Sequence, residues 1–196
     1  MVKFWWTPKA GAAGELEIDG VDLRERNDAS ALEQKVTEVF EWFYEPVNRY
    51  VRSIIGSAAD AEDLAQEAFV RLYASLQSEN RIGNVRSWLF RVAHNLAIDY
   101  LRQVRHLDHD VPEGWELRED RLDPGANAEQ RLLEQEQRQR LRRAMIRLSP
   151  QERYCLELRA EGLSYREIAE VLGVSISSVN TFLGRGVKKL AGEINV

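Results

Sequence analysis

Residues 149–190 read SPQERYCLELRAEGLSYREIAEVLGVSISSVNTFLGRGVKKL, and two Ser-x-x-Glu starts organise the stretch. Ser149-Pro150-Gln151-Glu152 offers a capping hydroxyl, a proline at the first helical position and a glutamate at the third; Ser164-Tyr165-Arg166-Glu167 repeats the capping-box arrangement. Gly162 ends the first of these helices. Gly173 supplies a turn after Leu172, and Ser175 caps a last helix expected to reach about Leu190. Ile168, Ala169, Leu172 and Val174, then Val179, Phe182 or Leu183, and Val187, recur at helical spacing with small Ala169 at the close crossing. The pattern predicts a helix-turn-helix whose second helix fits a major groove about 12 Å wide. Its exposed side chains are Ser175, Ser177, Ser178, Asn180, Thr181, Arg185 and Lys188, so hydroxyls and amides are available for base edges and cations for phosphates or guanine. Arg166 opens the preceding helix, where it can touch the DNA backbone. A hairpin used only for packing would not need so polar an outer face.

Working upstream, Leu107 to Ala128 holds Pro112, Gly114, Pro124 and Gly125 among many acids and reads as a linker, with helical pattern resuming near Ala128. Before it, Val85 to about Val104 forms a helix with Trp88, Leu89, Val92, Ala93, Leu96, Ala97, Tyr100 and Leu101 on its apolar side. Gln77 to Asn84 is a polar loop. Another helix runs to about Leu76, with Asp60 as the expected N-cap after a break at Gly56 to Ala59. From Leu32 to Ile55 a helical pattern includes Val36, Val39, Phe40, Phe43 and Tyr44; Pro46 either kinks it or begins a second helix. Residues 1 to about 30 show no sustained period. Their aromatic cluster Phe4, Trp5 and Trp6 marks either a flexible tail or a docking segment for a regulator.

The formal net charge of −5 suits a nucleic-acid binder poorly until it is divided along the chain. Arg81, Arg86, Arg91, Arg102 and Arg105 face only Asp99 between positions 81 and 106; Arg185, Lys188 and Lys189 face no acid between 177 and 190. The acids concentrate between these blocks, and a phosphate responds to local charge. On the second helix Asp63, Gln66 and Glu67 form an exposed acidic-amide ridge, suited to a basic protein surface and repellent to DNA. On the third, Trp88, Asn95, Tyr100 and several arginines lie beside the polar loop, a combination suited to single-stranded DNA, although Trp88 also fits a core position.

Other chemistries find little support. A lone Cys155 excludes an internal disulfide and reads as a small buried hydrophobe. His106, Asp108, His109 and Asp110 fall in the linker, without a frame to converge on a metal. There is no Gly-rich phosphate loop, no His beside a plausible nucleophile, no apolar run long enough to span a bilayer and no signal-peptide pattern, so the expectation is a cytoplasmic protein that is not an enzyme and takes no cofactor, metal or small-molecule substrate.

DAEDLAQEAFVRLY (60–73), NVRSWLFRVAHNLAIDYLRQ (84–103) and the 148–190 stretch, in this order and spacing, resemble an extracytoplasmic-function sigma factor of bacterial RNA polymerase. The resemblance implies an all-α chain of two small helical domains joined by an acidic flexible linker. Residues 1–31 would be a flexible extension, 32–106 the region 2 domain, 107–129 the linker and 130–196 the region 4 helix-turn-helix domain. It implies that Asp63, Gln66 and Glu67 contact the polymerase clamp helices, and that the loop Ser78 to Val85, with Asn80 and Arg81, holds a base flipped from the minus-ten element. Arg86 would join that DNA contact, with Arg91, Asn95, Asp99 and Arg102 along the upstream edge of melting. Asn180, Thr181 and Arg185, flanked by Arg166, Ser175, Ser177, Ser178 and Lys188, would read the minus-thirty-five element. The partners implied are core RNA polymerase, promoter DNA and, in many relatives, an anti-sigma factor. The linker would thread towards the polymerase active site and RNA exit path. This chain departs from many relatives in carrying Asn180 and Phe182 where they have basic residues, which flattens the salt dependence of DNA binding. Gly184 and Gly186 each cost about 1 kcal/mol relative to Ala, so the last helix is expected to fray. The competing reading is an ordinary helix-turn-helix regulator that acts without core polymerase; it leaves the first basic block and the acidic ridge without a purpose.

Overall fold

A computed structural model describes residues 29–78, 82–107 and 144–194. Among the described residues the helices that carry the fold are α1 (Ala29–Ile55), α2 (Ala58–Gln77), α3 (Val85–Leu107), α4 (Pro150–Ala160), α5 (Tyr165–Leu172) and α6 (Ile176–Ile194). The described residues contain no strand. The aromatic segment at Phe4 to Trp6, the linker, Asn80 and Arg81 lie outside them.

α1 runs unbroken through Pro46. Proline removes one hydrogen bond to the residue four back, here exposed Trp42, where solvent can reach the turn. Gly56, at φ 84°, ends α1 by donating its N–H to the Arg52 carbonyl at 2.9 Å. The next cap corrects the sequence reading: Ser57, not Asp60, is the N-cap of α2. The Asp60 N–H donates to Ser57 Oγ at 3.4 Å, while hydroxyls from Ser57 and Tyr100 hold the Asp60 carboxyl below its ordinary pKa. Asp60 therefore ties the start of α2 to α3. At α3 the cap is Asn84, whose Oδ1 accepts the Ser87 N–H at 2.9 Å.

These three helices pack around Val47, Tyr50, Val51 and Ile54 of α1, Leu72 of α2, and Leu89 and Phe90 of α3. Fully buried Ala61, Ala65 and Ala68 on α2, with Ala93 and Ala97 on α3, let the backbones come close. Each large apolar side chain removed from water contributes about 1.5–3 kcal/mol. The second group, α4 to α6, closes on Cys155, Leu158, Leu163, Ile168, Val171, Val179 and Leu183. Both capping boxes form as the sequence indicates, and Gly173 takes the left-handed conformation at φ 65°. Cys155 is fully buried, with its thiol pushed up to about 11 by desolvation. α3 packs on α5 and α1 on α4, so the buried residues of the two groups join into one cluster.

The last helix differs from expectation in its inward register and in where it ends. Val187 is exposed, and the inward position belongs to buried Gly186, where an added Cβ would meet Leu156 Cδ1 at 2.8 Å. Gly186 therefore permits the close approach of α6 to α4, and α6 continues to Ile194. Nothing stands within 4 Å of a Cβ at Gly184. Accordingly Gly184→Ala should raise stability by about 0.5–1 kcal/mol through helix propensity alone. Gly186→Ala should fall at least about 1 kcal/mol below it, because Leu156 must move. Urea denaturation of the two variants measures the difference.

Candidate nucleic-acid interface

The N-terminus of α6 presents the first surface. Ser175 Oγ accepts the Ser178 N–H at 3.1 Å and lies 2.8 Å from the hydroxyls of both Ser177 and Ser178, so the expected cap forms and draws Ser178 into partial burial. Ser175, Ser177, Asn180, Thr181, Arg185 and Lys188 are exposed. Thr181 Oγ1 donates back to the Ser177 carbonyl at 2.9 Å, which leaves its lone pairs and methyl outward. Phe182 is half-buried against the core. Lys189 is turned from this face: its ammonium donates at 2.6 Å to the Glu152 carboxylate and at 3.2 Å to the Arg147 carbonyl. Burial opposes ionisation of Glu152, but Lys189 and the Ser149 N–H outweigh it and hold the carboxyl below its usual range.

A second surface runs along α3. Arg91, Asn95, Asp99 and Arg102 are exposed at spacings of four, four and three, on one face of the helix. Arg102 donates to Asp99 at 3.2 Å, an exposed pair that holds geometry more than energy. Trp88 is half-buried and lines a cavity of about 650 Å³ with Ile82, Gly83, Asn84 and Arg91, closed on its far side by Ser164, Arg166, Glu167 and Glu170. The two predicted DNA-binding surfaces therefore meet at this cavity. Asp63, Gln66 and Glu67 form the third feature, exposed along α2, with Arg71 donating to Glu67 at 2.8 Å.

Arg86 is placed elsewhere than on an open DNA surface. Its guanidinium donates to the Glu161 carbonyl at 2.6 Å, at the C-terminal end of α4. Arg49 grips the Glu161 carboxylate with two hydrogen bonds, at 2.8 and 2.5 Å, and the pair raises the Arg49 pKa. Ser87 Oγ donates to Glu170 at 2.9 Å and Asn84 Nδ2 to Glu167 at 3.4 Å. His94 completes the junction: its Nδ1 lies 2.8 Å from the Tyr50 hydroxyl, and its ring stands edge-on to Tyr154 at 5.1 Å. Desolvation raises Tyr50 well above its ordinary pKa and keeps the phenol protonated, so it meets a neutral imidazole in an uncharged hydrogen bond. None of these contacts between helix groups is a periodicity or motif signal, and sequence reasoning missed them. Phe40, one of the residues in the helical pattern of α1, is 40% exposed and walls a shallow trough with Gln66, Phe69, Val70 and Tyr73.

Comparison with known proteins identifies the arrangement. The family model for sigma-70 region 2 matches residues 39–106 and that for sigma-70 region 4 matches residues 138–190. The RNA polymerase sigma factor YlaC of Bacillus subtilis is 32% identical over 152 residues, which cover 76% of this chain and 86% of that one. The chain is an extracytoplasmic-function sigma factor. As a member of that family it directs promoter-specific initiation of transcription by RNA polymerase. The sigma factor SigW of Bacillus subtilis is 26% identical over 80% of this chain and 87% of its own. The Bartonella quintana sigma factor RpoE, solved with the anti-sigma factor NepR, shares the fold at a TM-score of 0.61 and 20% identity, over 83% of this chain and 98% of that one. Among the described residues no helix of the sigma factor is long and apolar enough to cross a membrane.

The buried histidine gives a pH dependence with a definite sign. Burial lowers the His94 pKa from 6.5 to about 4, so the unfolded chain takes up a proton that the folded one refuses. The contribution of neutral His94 to stability is complete above about pH 6.5 and falls as the pH drops towards 4, by at most about 3 kcal/mol. Between pH 6.5 and 4.5 the denaturation midpoint should fall with acidification, and His94→Gln should flatten that slope.

Proposed function

We propose that residues 32–106 form the part of this sigma factor that docks on core polymerase and binds the minus-ten element, and that residues 130–196 form the part that binds the minus-thirty-five element. The observation that carries the division of labour is the separation of charge. Asp63 and Glu67 present an acidic edge on α2, whereas Arg91 and Arg102 on α3 and Arg185 and Lys188 on α6 present cations. An acidic ridge suits a basic protein surface; exposed cations on the other two faces suit phosphates. Asn180 and Thr181 supply short polar groups for base edges and Arg185 a fork for guanine. Trp88, Asn84 and Arg91, on the α3 side of the cavity, suit an unstacked base once the α4–α6 wall has moved away.

Both elements cannot be read in the arrangement described. Elements 25 base pairs apart lie roughly 85 Å apart along B-form DNA at about 3.4 Å per base pair. The longest element of the first group, α1 with 27 residues, is about 40 Å long at 1.5 Å per residue. Arg91 and Arg166, one from each proposed DNA surface, line a single cavity. Engagement of a promoter therefore separates the two helix groups and releases Arg86 from Glu161. Polymerase supplies the surface on which they come apart. The factor performs no chemistry of its own and works in the cytoplasm with polymerase. An anti-sigma protein, such as the one bound to the structural neighbour from Bartonella quintana, would act by holding the groups together or by covering the ridge.

Reconstituted transcription from core polymerase and a promoter library tests this reading. Specific transcripts should require the chain and disappear with Glu67→Lys, which should lower core affinity at least about tenfold while leaving helicity unchanged; undiminished affinity in the folded variant refutes the ridge assignment. Arg185→Ala should cost about 1–3 kcal/mol on promoters with a matched minus-thirty-five element and little on those without. Lys188→Ala should weaken all DNA sequences alike and reduce the salt slope by about one.

A further inference from the structure

The trough beside the acidic ridge is an apolar surface with no partner among the described residues. Phe40 is 40% exposed and Val70 62%, and with Phe69 and Tyr73 they line a shallow, open trough of about 450 Å³. Phe40 already stacks on Tyr44 at 4.6 Å and meets Phe69 edge-on at 5.0 Å, so a further ring would join an ordered aromatic group. Gln66 belongs to both trough and ridge, and Asp63 and Glu67 lie along its edge on α2.

We propose that the aromatic segment Phe4-Trp5-Trp6 of the same chain occupies this trough and thereby competes with polymerase for the ridge. The match is chemical on two counts. The segment supplies aromatic rings for an aromatic-walled trough. Residues 1–14 also carry Lys3 and Lys9 and no acid, the complement of Asp63 and Glu67. Reach is not limiting: α1 begins at Ala29, about 16 Å of helix from Phe40, and residues 7–28 can extend to roughly 75 Å. A tether of that length gives an effective concentration on the order of millimolar, far above what a second copy reaches in solution. Even a weak intrinsic site is then mostly filled in cis. If docking leaves about one molecule in ten open, apparent affinity for core polymerase falls about tenfold. Docking itself stands on the trough; its consequence rests on the ridge being the polymerase contact.

Replacing Val70 by p-benzoylphenylalanine in the full chain, irradiating, and mapping the crosslinks by mass spectrometry tests docking without polymerase. Mixing this chain with isotope-labelled wild type separates the two sources of tail. The expected product joins position 70 to residues 1–9 of the same chain and is lost when Phe4, Trp5 and Trp6 are all changed to Ala. Capture of the labelled chain's tail, or no capture of any tail, overturns docking. In a binding titration the triple variant should bind core polymerase about tenfold more tightly than wild type; equal affinity overturns the competition. If the crosslink forms but no version of the chain binds core, docking stands and the ridge reading falls.

Discussion

Glu161 lies just past the end of α4, and both of its acceptor groups are taken by the other half of the molecule. Its carboxylate receives the fork of Arg49 from α1, and its backbone carbonyl receives Arg86 from α3. The site is favourable for cations twice over, since the C-terminal end of a helix carries partial negative charge and the carboxylate adds a full one. Gly162 follows at φ 86°, and a Cβ there would stand 3.1 Å from the Arg86 guanidinium, so the turn that exposes the carbonyl also leaves room for its partner. This clasp stands beside the shared apolar contact in joining the two helix groups. A bidentate pair with side chains 33% and 12% exposed is worth more than a surface ion pair, yet the wet Arg49 keeps it to about 1–3 kcal/mol. That magnitude is compatible with the proposed separation of the two helix groups on a promoter.

The helix-turn-helix was legible because its determinants are local. Ser149, Glu152, Ser164, Glu167 and Gly173 each act within one turn of their own position, and all behave as the pattern indicates. Where two local solutions competed, the sequence could not choose. Ser57 and Asp60 are both good caps, and Tyr100, forty residues away, gives Asp60 another task. Gly186 and Val187 differ by one register step on α6, and apolar character favoured valine. The decision belonged to Leu156, whose side chain would have to shift for any Cβ at position 186. Arg86 likewise reads as one cation in a basic block until Glu161 is brought to it across 75 positions. The proposed site residues that stand clear in the structure are those spaced along one exposed face, from Arg91 to Arg102 and from Ser175 to Lys188. Those near the junction are the ones that distant residues reassign.

Net charge misleads for the same reason. At −5 overall, this chain should not approach DNA at long range, and a free sigma factor with weak attraction for random DNA is spared a large competing reservoir of sites. Lys189 is diverted to Glu152, and Asp99 partly neutralises Arg102, so the effective cation count on the proposed DNA faces is lower still. Binding then depends on polymerase to bring the weakly charged faces to a promoter together, where two modest sites on one scaffold gain from each other's proximity.

This bears on what the closed arrangement withholds. The outward faces of α3 and α6 are exposed in it, so it does not work chiefly by covering DNA-binding side chains. It works by distance: the proposed minus-ten and minus-thirty-five surfaces share one cavity, and no straight duplex presents its two elements so close together. A partner that only tightened the Glu161 clasp would silence the factor without touching a single base-reading residue. A partner that relaxed the clasp would activate it without supplying any DNA contact. On the proposed reading, the junction of Arg49, Arg86, His94 and Glu161 is where such a partner would act, because few residues carry it and their energies are small.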